Sequence, residues 1–212
     1  MPTAPLPGAA TDRLVDPSGV QVHDRGAYVA FDTPVCRDSH WGHRLELGVP
    51  PWEAGFARCF SWWAGEHGAK GVGRAIVAWE SLRPPLAVPD PPPGVEAVAL
   101  TVRGLRDCIR RDPPLGTLLR PLSGAADWHQ LLALEGAVFG MQGSPAASRY
   151  LQWTRGDRRA RIDAGDGVQL GAFQGARLVG AAAVLHGAGV GRFRSVCVAE
   201  GARGQGIGGA LV

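Results

Sequence analysis

The spacing of apolar residues in the first half of the chain predicts several strands and one helix. Extended runs predict strands at 21–31, 45–49, 74–79 and 95–102. Apolar residues recur with helical spacing after a Pro-Pro pair, which predicts a helix over 52–67. Prolines and glycines interrupt the pattern at 1–19, which is predicted to be a flexible tail, and at 84–93, which is predicted to be a loop.

The second half has a clearer order of elements. A strand at 118–122 leads through Ser123, a predicted helix N-cap, into an apolar helical face over 128–139. A second, arginine-rich helix is predicted over 147–159. Three extended runs follow, at 168–173, 177–185 and 192–198. The first two flank a short turn at 174–176, which is typical of an antiparallel hairpin.

The composition indicates a folded protein without extreme charge. The 212 residues are 45% hydrophobic and carry a formal charge of +3, which excludes a disordered chain. The arginines are scattered and no apolar span is long enough to cross a membrane, so neither a nucleic-acid nor a membrane partner is expected. The cysteines show no zinc or disulfide spacing, which favours reduced thiols, no bound metal and a cytoplasmic location: Cys36, Cys59, Cys108 and Cys197.

A glycine-rich stretch after the last predicted strand is the candidate for ligand binding. Its glycines leave backbone N–H groups unshielded before residues that can begin a helix, which indicates an anion site; a turn needed only for chain reversal is the alternative. No lysine lies near it, so it is not a P-loop. Gly204, Gly206 and Gly209 match the dinucleotide pattern G-x-G-x-x-G, but an antiparallel hairpin before them does not fit a Rossmann unit.

The string from Arg203 to Gly208 resembles the acetyl-CoA loop of GCN5-related N-acetyltransferases (GNAT), whose pattern is Arg/Gln-x-x-Gly-x-Gly/Ala. Its six residues, Arg-Gly-Gln-Gly-Ile-Gly, match that pattern position for position. The elements before it also follow the family's order, and the resemblance covers about 118–212. It implies an α/β fold (α+β), with a mixed, mostly antiparallel sheet flanked by helices.

The resemblance also implies acetyl-CoA as cosubstrate and assigns residues to its binding. The main chain of Val196, Cys197 and Val198 is expected to pair with the pantetheine arm. The loop residues are expected to hold the pyrophosphate: Arg203, Gly204, Gln205, Gly206, Ile207, Gly208 and Gly209.

The resemblance leaves the general base and acid unassigned. Relatives often carry a carboxylate on the strand before the loop and a tyrosine after the loop helix, and this chain has neither at those places. Glu200 is the nearest acid and the one candidate base, although a solvated surface position is the favoured interpretation. Cys197 is interpreted as a small buried hydrophobe rather than a nucleophile, and His186 as a loop histidine without a role.

These observations predict a flexible tail at 1–19, a degenerate GNAT-like module at 20–114 and an acetyl-CoA-binding module at 115–212 that lacks the family's C-terminal elements. The predicted function is acetyl-CoA-dependent transfer of an acetyl group to an amine of a small molecule or protein by direct attack. The alternative is a catalytically inactive acyl-CoA-binding or interaction module with the same fold. The acceptor amine and the oligomeric state do not follow from the sequence.

Overall fold

The computed structural model describes residues 7–81, 89–96, 98, 111–187 and 189–212. The chain divides into two units: the first comprises Met1–Ala10 and Ser18–Gly104, and the second comprises Thr11–Pro17 and Leu105–Val212. The strand predicted over 95–102 lies largely outside the described residues. The assignment of 20–114 as a degenerate GNAT-like module stays a prediction.

The N-terminal segment contains a helix, α1 (Pro7–Val15), within the range for which the sequence predicts a flexible tail. Tertiary contacts explain the difference, because Arg192 Nη2 donates to Asp12 Oδ1 at 2.5 Å and Arg161 Nη1 donates to the Leu14 carbonyl at 2.8 Å. These partners lie far along the chain, where local sequence patterns carry no information about them.

The first unit is built on a four-stranded sheet with two short helices. Its elements are β1 (Gln21–Asp24), β2 (Tyr28–Asp32), β3 (Arg44–Leu47), α2 (Pro51–Ala54), α3 (Phe56–His67) and β4 (Val77–Trp79). The strands lie in the order β1-β2-β3-β4, and all pairs are antiparallel except β3 with β4. Ala30, Leu45 and Trp63 form its buried cluster, so α3 packs on the middle of the sheet.

Two glycines break elements that the sequence pattern predicts as continuous. The strand predicted over 21–31 is a hairpin, because the chain turns at Gly26 (φ +77°) between β1 and β2. The helix predicted over 52–67 is two helices, because Gly55 (φ +90°) separates α2 from α3. Glycine adopts positive φ at little cost, so a single position was enough to end each element.

The second unit is built on an antiparallel sheet in the order β5-β6-β7-β8. Its elements are β5 (Thr117–Pro121), α4 (Gly124–Val138), α5 (Pro145–Asp163), β6 (Gly167–Gln174), β7 (Arg177–Gly187), β8 (Val190–Val198) and α6 (Ile207–Leu211). The predicted hairpin is present as β6 and β7, and the prediction of a mostly antiparallel sheet is confirmed. The boundary predicted between 114 and 115 lies inside this unit.

Helices cover both faces of this sheet. Phe173, Leu178 and Ala181 pack with α4, whereas their chain neighbours Ala172, Val179 and Ala182 pack with α6. Because successive side chains of a strand point to opposite faces, α4 and α6 lie on opposite sides of the sheet. The central strand β7 is therefore buried on both faces, which fixes the position of the neighbouring strand β8.

The start of α4 is held by Asp127 rather than by the side chain of the predicted cap, Ser123. Ser123 is the N-cap residue, but its hydroxyl accepts no capping hydrogen bond. Instead its backbone N–H donates to Asp127 Oδ2 at 2.8 Å, and Arg120 donates to both carboxylate oxygens at 2.5 and 3.0 Å. A carboxylate in the first turn is also favoured by the helix dipole.

We expect Asp127→Asn to remove a pH-dependent part of the stability. The hydrogen bond from Arg120 lowers the pKa of Asp127 from 3.8 to about 2. Burial opposes this shift, and the hydrogen bonds from Ser123 add to it. A carboxyl group with a lowered folded-state pKa stabilises the fold above its unfolded pKa, and this contribution is lost as the pH falls from about 4 to about 2. It is worth about 2 kcal/mol at neutral pH.

Urea denaturation of both proteins at pH 7 and pH 2.5 measures this contribution. The difference in unfolding free energy between wild type and Asp127→Asn should shrink at the lower pH. An equal difference at the two pH values would contradict the assignment.

Candidate functional site

Strand β8 has a free edge and a bulge next to its C-terminal end. Within the described residues β8 pairs only with β7, so it forms an edge of its sheet. Ala181 pairs with Cys197 and Ala183 with Arg194, so two residues of β8, Ser195 and Val196, oppose the single residue between them. Such a bulge turns part of the backbone away from the ladder. An unpaired edge can accept an extended ligand as an additional strand.

The bulge places Ser195 in a conformation that side chains rarely adopt. Its φ is +52°, and it is the only non-glycine residue with positive φ among those described. Val196 beside it is 41% exposed, whereas Cys197 is buried. The backbone of 196–198 thus borders solvent, while the Cys197 side chain anchors the strand in the core.

The chain passes from β8 through a short 3-10 turn, Glu200–Ala202, into the glycine loop. Gly204 (φ +76°) and Gly206 (φ +86°) both have positive φ, and a Cβ atom on either would meet nothing within 4 Å. The backbone of the loop is therefore exposed and approachable. The amide groups at the start of α6 have no partner within that helix, which leaves them available to an anion.

The loop is anchored to the sheet through α6. Ile207 and Leu211 are buried, and a Cβ atom on Gly180 of β7 would come within 2.9 Å of Ile207 Cγ2. Glycine at this position lets the helix approach the sheet closely. A well-packed α6 holds the loop directly after the end of β8.

Positive side chains surround the loop. Arg203 Nε donates to the Val198 carbonyl at 3.3 Å, which links the loop to the end of β8. The guanidinium of Arg111 lies against Gly209, with Nη1 3.4 Å from the position of an added Cβ. Arg177, Glu200 and Arg203 line a groove of about 430 Å³ beside α4. Arg111 and Arg177 were missed from the sequence, because no local motif connects them to the loop.

The side chain of Gln205 makes two hydrogen bonds within the protein, although the sequence predicts that this residue helps to hold the pyrophosphate. Its Nε2 donates to the Gly201 carbonyl at 3.3 Å, and its Oε1 accepts from Gln174 Nε2 at 3.1 Å. Both bonds tie the side chain to neighbouring backbone and strand residues. The main-chain N–H is thus the group of Gln205 that remains for an anion.

The structure separates the three candidate catalytic residues. Glu200 is exposed at the groove. His186 pairs with Gly191 at the far end of the β7–β8 hairpin from Val198, which pairs with Gly180, so it does not approach the loop. Burial, with Glu135 nearby, raises the pKa of the Cys197 thiol to about 12. An un-ionised thiol is a poor nucleophile, which agrees with the interpretation of Cys197 as a buried hydrophobe.

We expect Cys197 to resist alkylation in the native protein. With a pKa of about 12, only about one thiol in ten thousand is ionised at pH 8. Iodoacetamide treatment at pH 8, followed by peptide mass spectrometry, should label Cys197 only when the protein is unfolded in urea. Labelling of the native protein at the rate of the unfolded one would refute this expectation.

The antiparallel strands before the loop do not fit a Rossmann unit. A Rossmann fingerprint follows the first strand of a parallel β-α-β unit. Here the strand before the loop is antiparallel to its neighbour, and every pairing in this sheet is antiparallel. The match of Gly204, Gly206 and Gly209 to the dinucleotide pattern is therefore coincidental.

Structural comparison finds two proteins that share this fold over most of the chain and a third structure that aligns with less than half of it. A GCN5-related N-acetyltransferase from Kribbella flavida aligns with 96% of this chain and 75% of its own, at 16% identity and a TM-score of 0.54. A functionally unknown conserved protein from Staphylococcus epidermidis aligns with 93% of this chain and 78% of its own, at 10% identity and a TM-score of 0.57. A structure from Desulfovibrio desulfuricans that is assigned to the GNAT family aligns with 45% of this chain, at 15% identity and a TM-score of 0.36. This chain spans 60% of the length of that structure.

No protein-family model matches the sequence, and no curated protein matches it. The chain has a GNAT-related fold: a mixed α and β architecture with mostly antiparallel sheets flanked by helices. None of the described helices is long and apolar enough to cross a membrane.

Proposed function

We propose that the second unit binds acetyl-CoA at the free edge of β8 and the glycine loop, and that the protein transfers the acetyl group to an amine. The observation that carries this proposal is the direct passage from a bulged edge strand into a loop with two positive-φ glycines, within a GNAT-related fold. A cytoplasmic location, expected from the reduced cysteines, belongs to the same proposal.

The residues present fit the two polar parts of acetyl-CoA. The main chain of Val196, Cys197 and Val198 is proposed to pair with the amide groups of the pantetheine arm, because these residues lie on the sheet edge. The backbone N–H groups from Gly204 to Gly209 are the proposed ligands of the pyrophosphate. Arg203 and Arg111 add positive charge at the two ends of this loop.

Acetyl-CoA supplies an acetyl group activated as a thioester, and the protein has to supply a neutral amine and a donor for the developing oxyanion. The bulge at Ser195 and Val196 turns main-chain N–H groups out of the ladder, which makes them the proposed oxyanion donors. Glu200 is the proposed base, since it is exposed in the groove that also contains Arg203. It would hold the proton that the attacking amine loses.

A second candidate function is acyl-CoA binding without turnover. One observation favours it: β8 carries no carboxylate, and the buried carboxylate of Glu135 is already bound to Arg158 at 2.8 Å. A chain that binds the thioester without a base would act as a carrier or interaction module.

Thiol release from acetyl-CoA, followed with a thiol-reactive dye in the presence of an amine panel, separates the two functions. Amine-dependent release supports the transferase, and binding without release with every amine supports the second function. For the transferase we expect Glu200→Gln to lower the rate at least about tenfold, a typical lower contribution of an acid or base, while acetyl-CoA affinity stays unchanged. If Glu200→Gln instead lowers the affinity for acetyl-CoA, Glu200 does not act as the base.

A further inference from the structure

We propose that Asp32, His43 and His67 form a binding site for one divalent transition-metal ion of the zinc class, and that the ammonium group of Lys70 competes with the ion for it. This site lies in the first unit and does not depend on the proposed function. One ligand atom from each of the three side chains lies within 4.8 Å of the others. The sequence predicted no metal site, because these residues are far apart along the chain and follow no metal-binding spacing.

Each ligand is fixed by a different element. Asp32 is the last residue of β2, His67 is the last residue of α3, and His43 follows a 3-10 turn, His40–Gly42, just before β3. His43 is 0% exposed and His67 is 1% exposed. Asp32 is 16% exposed, which gives an ion a path from solvent.

The hydrogen bonds determine which nitrogen of His43 is free to bind a cation. Its Nε2 lies 3.1 Å from the carbonyl oxygen of Arg37, and because a carbonyl only accepts, Nε2 carries the proton. The lone pair of the neutral ring is therefore on Nδ1, which lies 3.0 Å from Asp32 Oδ1. Two acceptors at this distance repel each other unless a cation lies against both. A histidine ligand whose second nitrogen donates to a carbonyl is the usual arrangement in zinc sites.

Lys70 places a cation against two of the three ligands. Its Nζ lies 2.9 Å from Asp32 Oδ1 and 3.2 Å from His67 Nδ1. An ammonium group only donates, so His67 Nδ1 also presents a lone pair to the same place. Lys70 is the only lysine in the chain. It ends a short turn before Gly71 (φ +71°), and its partly exposed side chain can move into solvent.

The His67 ring is held by packing and not by a hydrogen bond at Nε2. Its Nε2 is buried without a hydrogen-bond partner among the described residues. The ring packs against those of Trp63 and His43, with ring centroids 4.5 and 4.9 Å apart. A zinc ion needs ligand distances of about 2.0–2.2 Å, shorter than those to an ammonium nitrogen, so the ligands have to close in on the ion.

The donor set defines the class of ion. Two imidazoles and one carboxylate suit Zn²⁺, Co²⁺ or Ni²⁺, whereas Mg²⁺ and Ca²⁺ prefer oxygen ligands. Burial lowers the pKa of both histidines, that of His67 to about 4. Three protein ligands leave a fourth position for water.

Isothermal titration of the EDTA-treated full-length protein with ZnCl₂ at pH 7 tests the proposal. We expect one Zn²⁺ per chain, and at least about tenfold tighter binding to Lys70→Met, because that variant keeps the three ligands and removes the competing ammonium. His67→Asn should lose the binding, whereas the control His186→Ala, an exposed histidine of the second unit, should keep it.

Cobalt provides a second readout that does not depend on heats of binding. Co²⁺ added to Lys70→Met should give visible absorption bands of a low-coordinate site, and Zn²⁺ should abolish them. The proposal is overturned if Lys70→Met binds Zn²⁺ no more tightly than wild type, or if a folded His67→Asn retains the binding. Lys70→Met leaves all three ligands in place, so it still tests the proposal if the variant His67→Asn misfolds.

Discussion

The double variant Gly204→Ala/Gly206→Ala is expected to bind acetyl-CoA at least about thirtyfold more weakly than wild type. Both glycines have positive φ, +76° and +86°, and an alanine in this conformation costs about 1–2 kcal/mol. The loop of the variant should relax to negative φ, so the bound conformation has to be re-formed at a total cost of about 2–4 kcal/mol. Isothermal titration with acetyl-CoA measures the loss.

Gly201→Ala is the matched control for this variant. It lies just before the loop, its φ is not positive, and an added Cβ would meet nothing within 4 Å. It should therefore bind acetyl-CoA within about twofold of wild type, since surface changes away from special conformations have small effects. Equal affinities of wild type and the double variant would show that the loop backbone does not hold the ligand.

Glu135→Gln is expected to lower the free energy of unfolding by about 3–5 kcal/mol, because it removes one charge of a buried ion pair. Arg158 Nη2 lies 2.8 Å from Glu135 Oε1, and the two side chains are only 3% and 2% exposed. Arg158 Nε and Nη1 have no other hydrogen-bond partner among the described residues. Within the part of the chain that the structure describes, Glu135 is therefore the group that balances this buried charge.

Urea denaturation of three proteins tests this prediction. The double variant Glu135→Leu/Arg158→Met fills the same space without charge and should recover most of the stability, because no buried group remains unpaired. If Glu135→Gln unfolds at the wild-type urea concentration, the ion pair does not support the packing of α4 against α5. If the double variant is as unstable as Glu135→Gln, lost packing rather than the unpaired charge is the cause.

Much of the second unit could be predicted from the sequence, because its apolar patterns continue over many residues and glycine-containing turns separate its strands. The predicted strands at 168–173 and 177–185 correspond to β6, which is one residue longer at each end, and β7, which begins at the same residue and ends two residues later. In the first unit, single glycines at 26 and 55 ended elements whose apolar pattern continues through them. The spacing of apolar residues does not reveal the φ angle of a single residue, so the sequence pattern does not predict the ends of these elements at the two glycines.

The candidate acetyl-CoA loop could be located because its proposed ligands are consecutive backbone groups. The motif from Arg203 to Gly208 contains them in one string. Arg111, which lies against Gly209, and Arg158, which pairs with Glu135, come from other segments of the chain than their partners. Only the fold brings each of them into contact. The same reason explains why the cluster of Asp32, His43 and His67 was not predicted.

Hydrogen–deuterium exchange of the 212-residue protein with and without acetyl-CoA shows which backbone amides the ligand covers. We expect acetyl-CoA to slow exchange at the amides of 196–198 and 204–209, while His186 and the first unit exchange unchanged. Free phosphate should slow exchange at 204–209 only, because it lacks the pantetheine arm. Protection by acetyl-CoA at other sites, or at none, would contradict binding at the edge of β8 and the glycine loop.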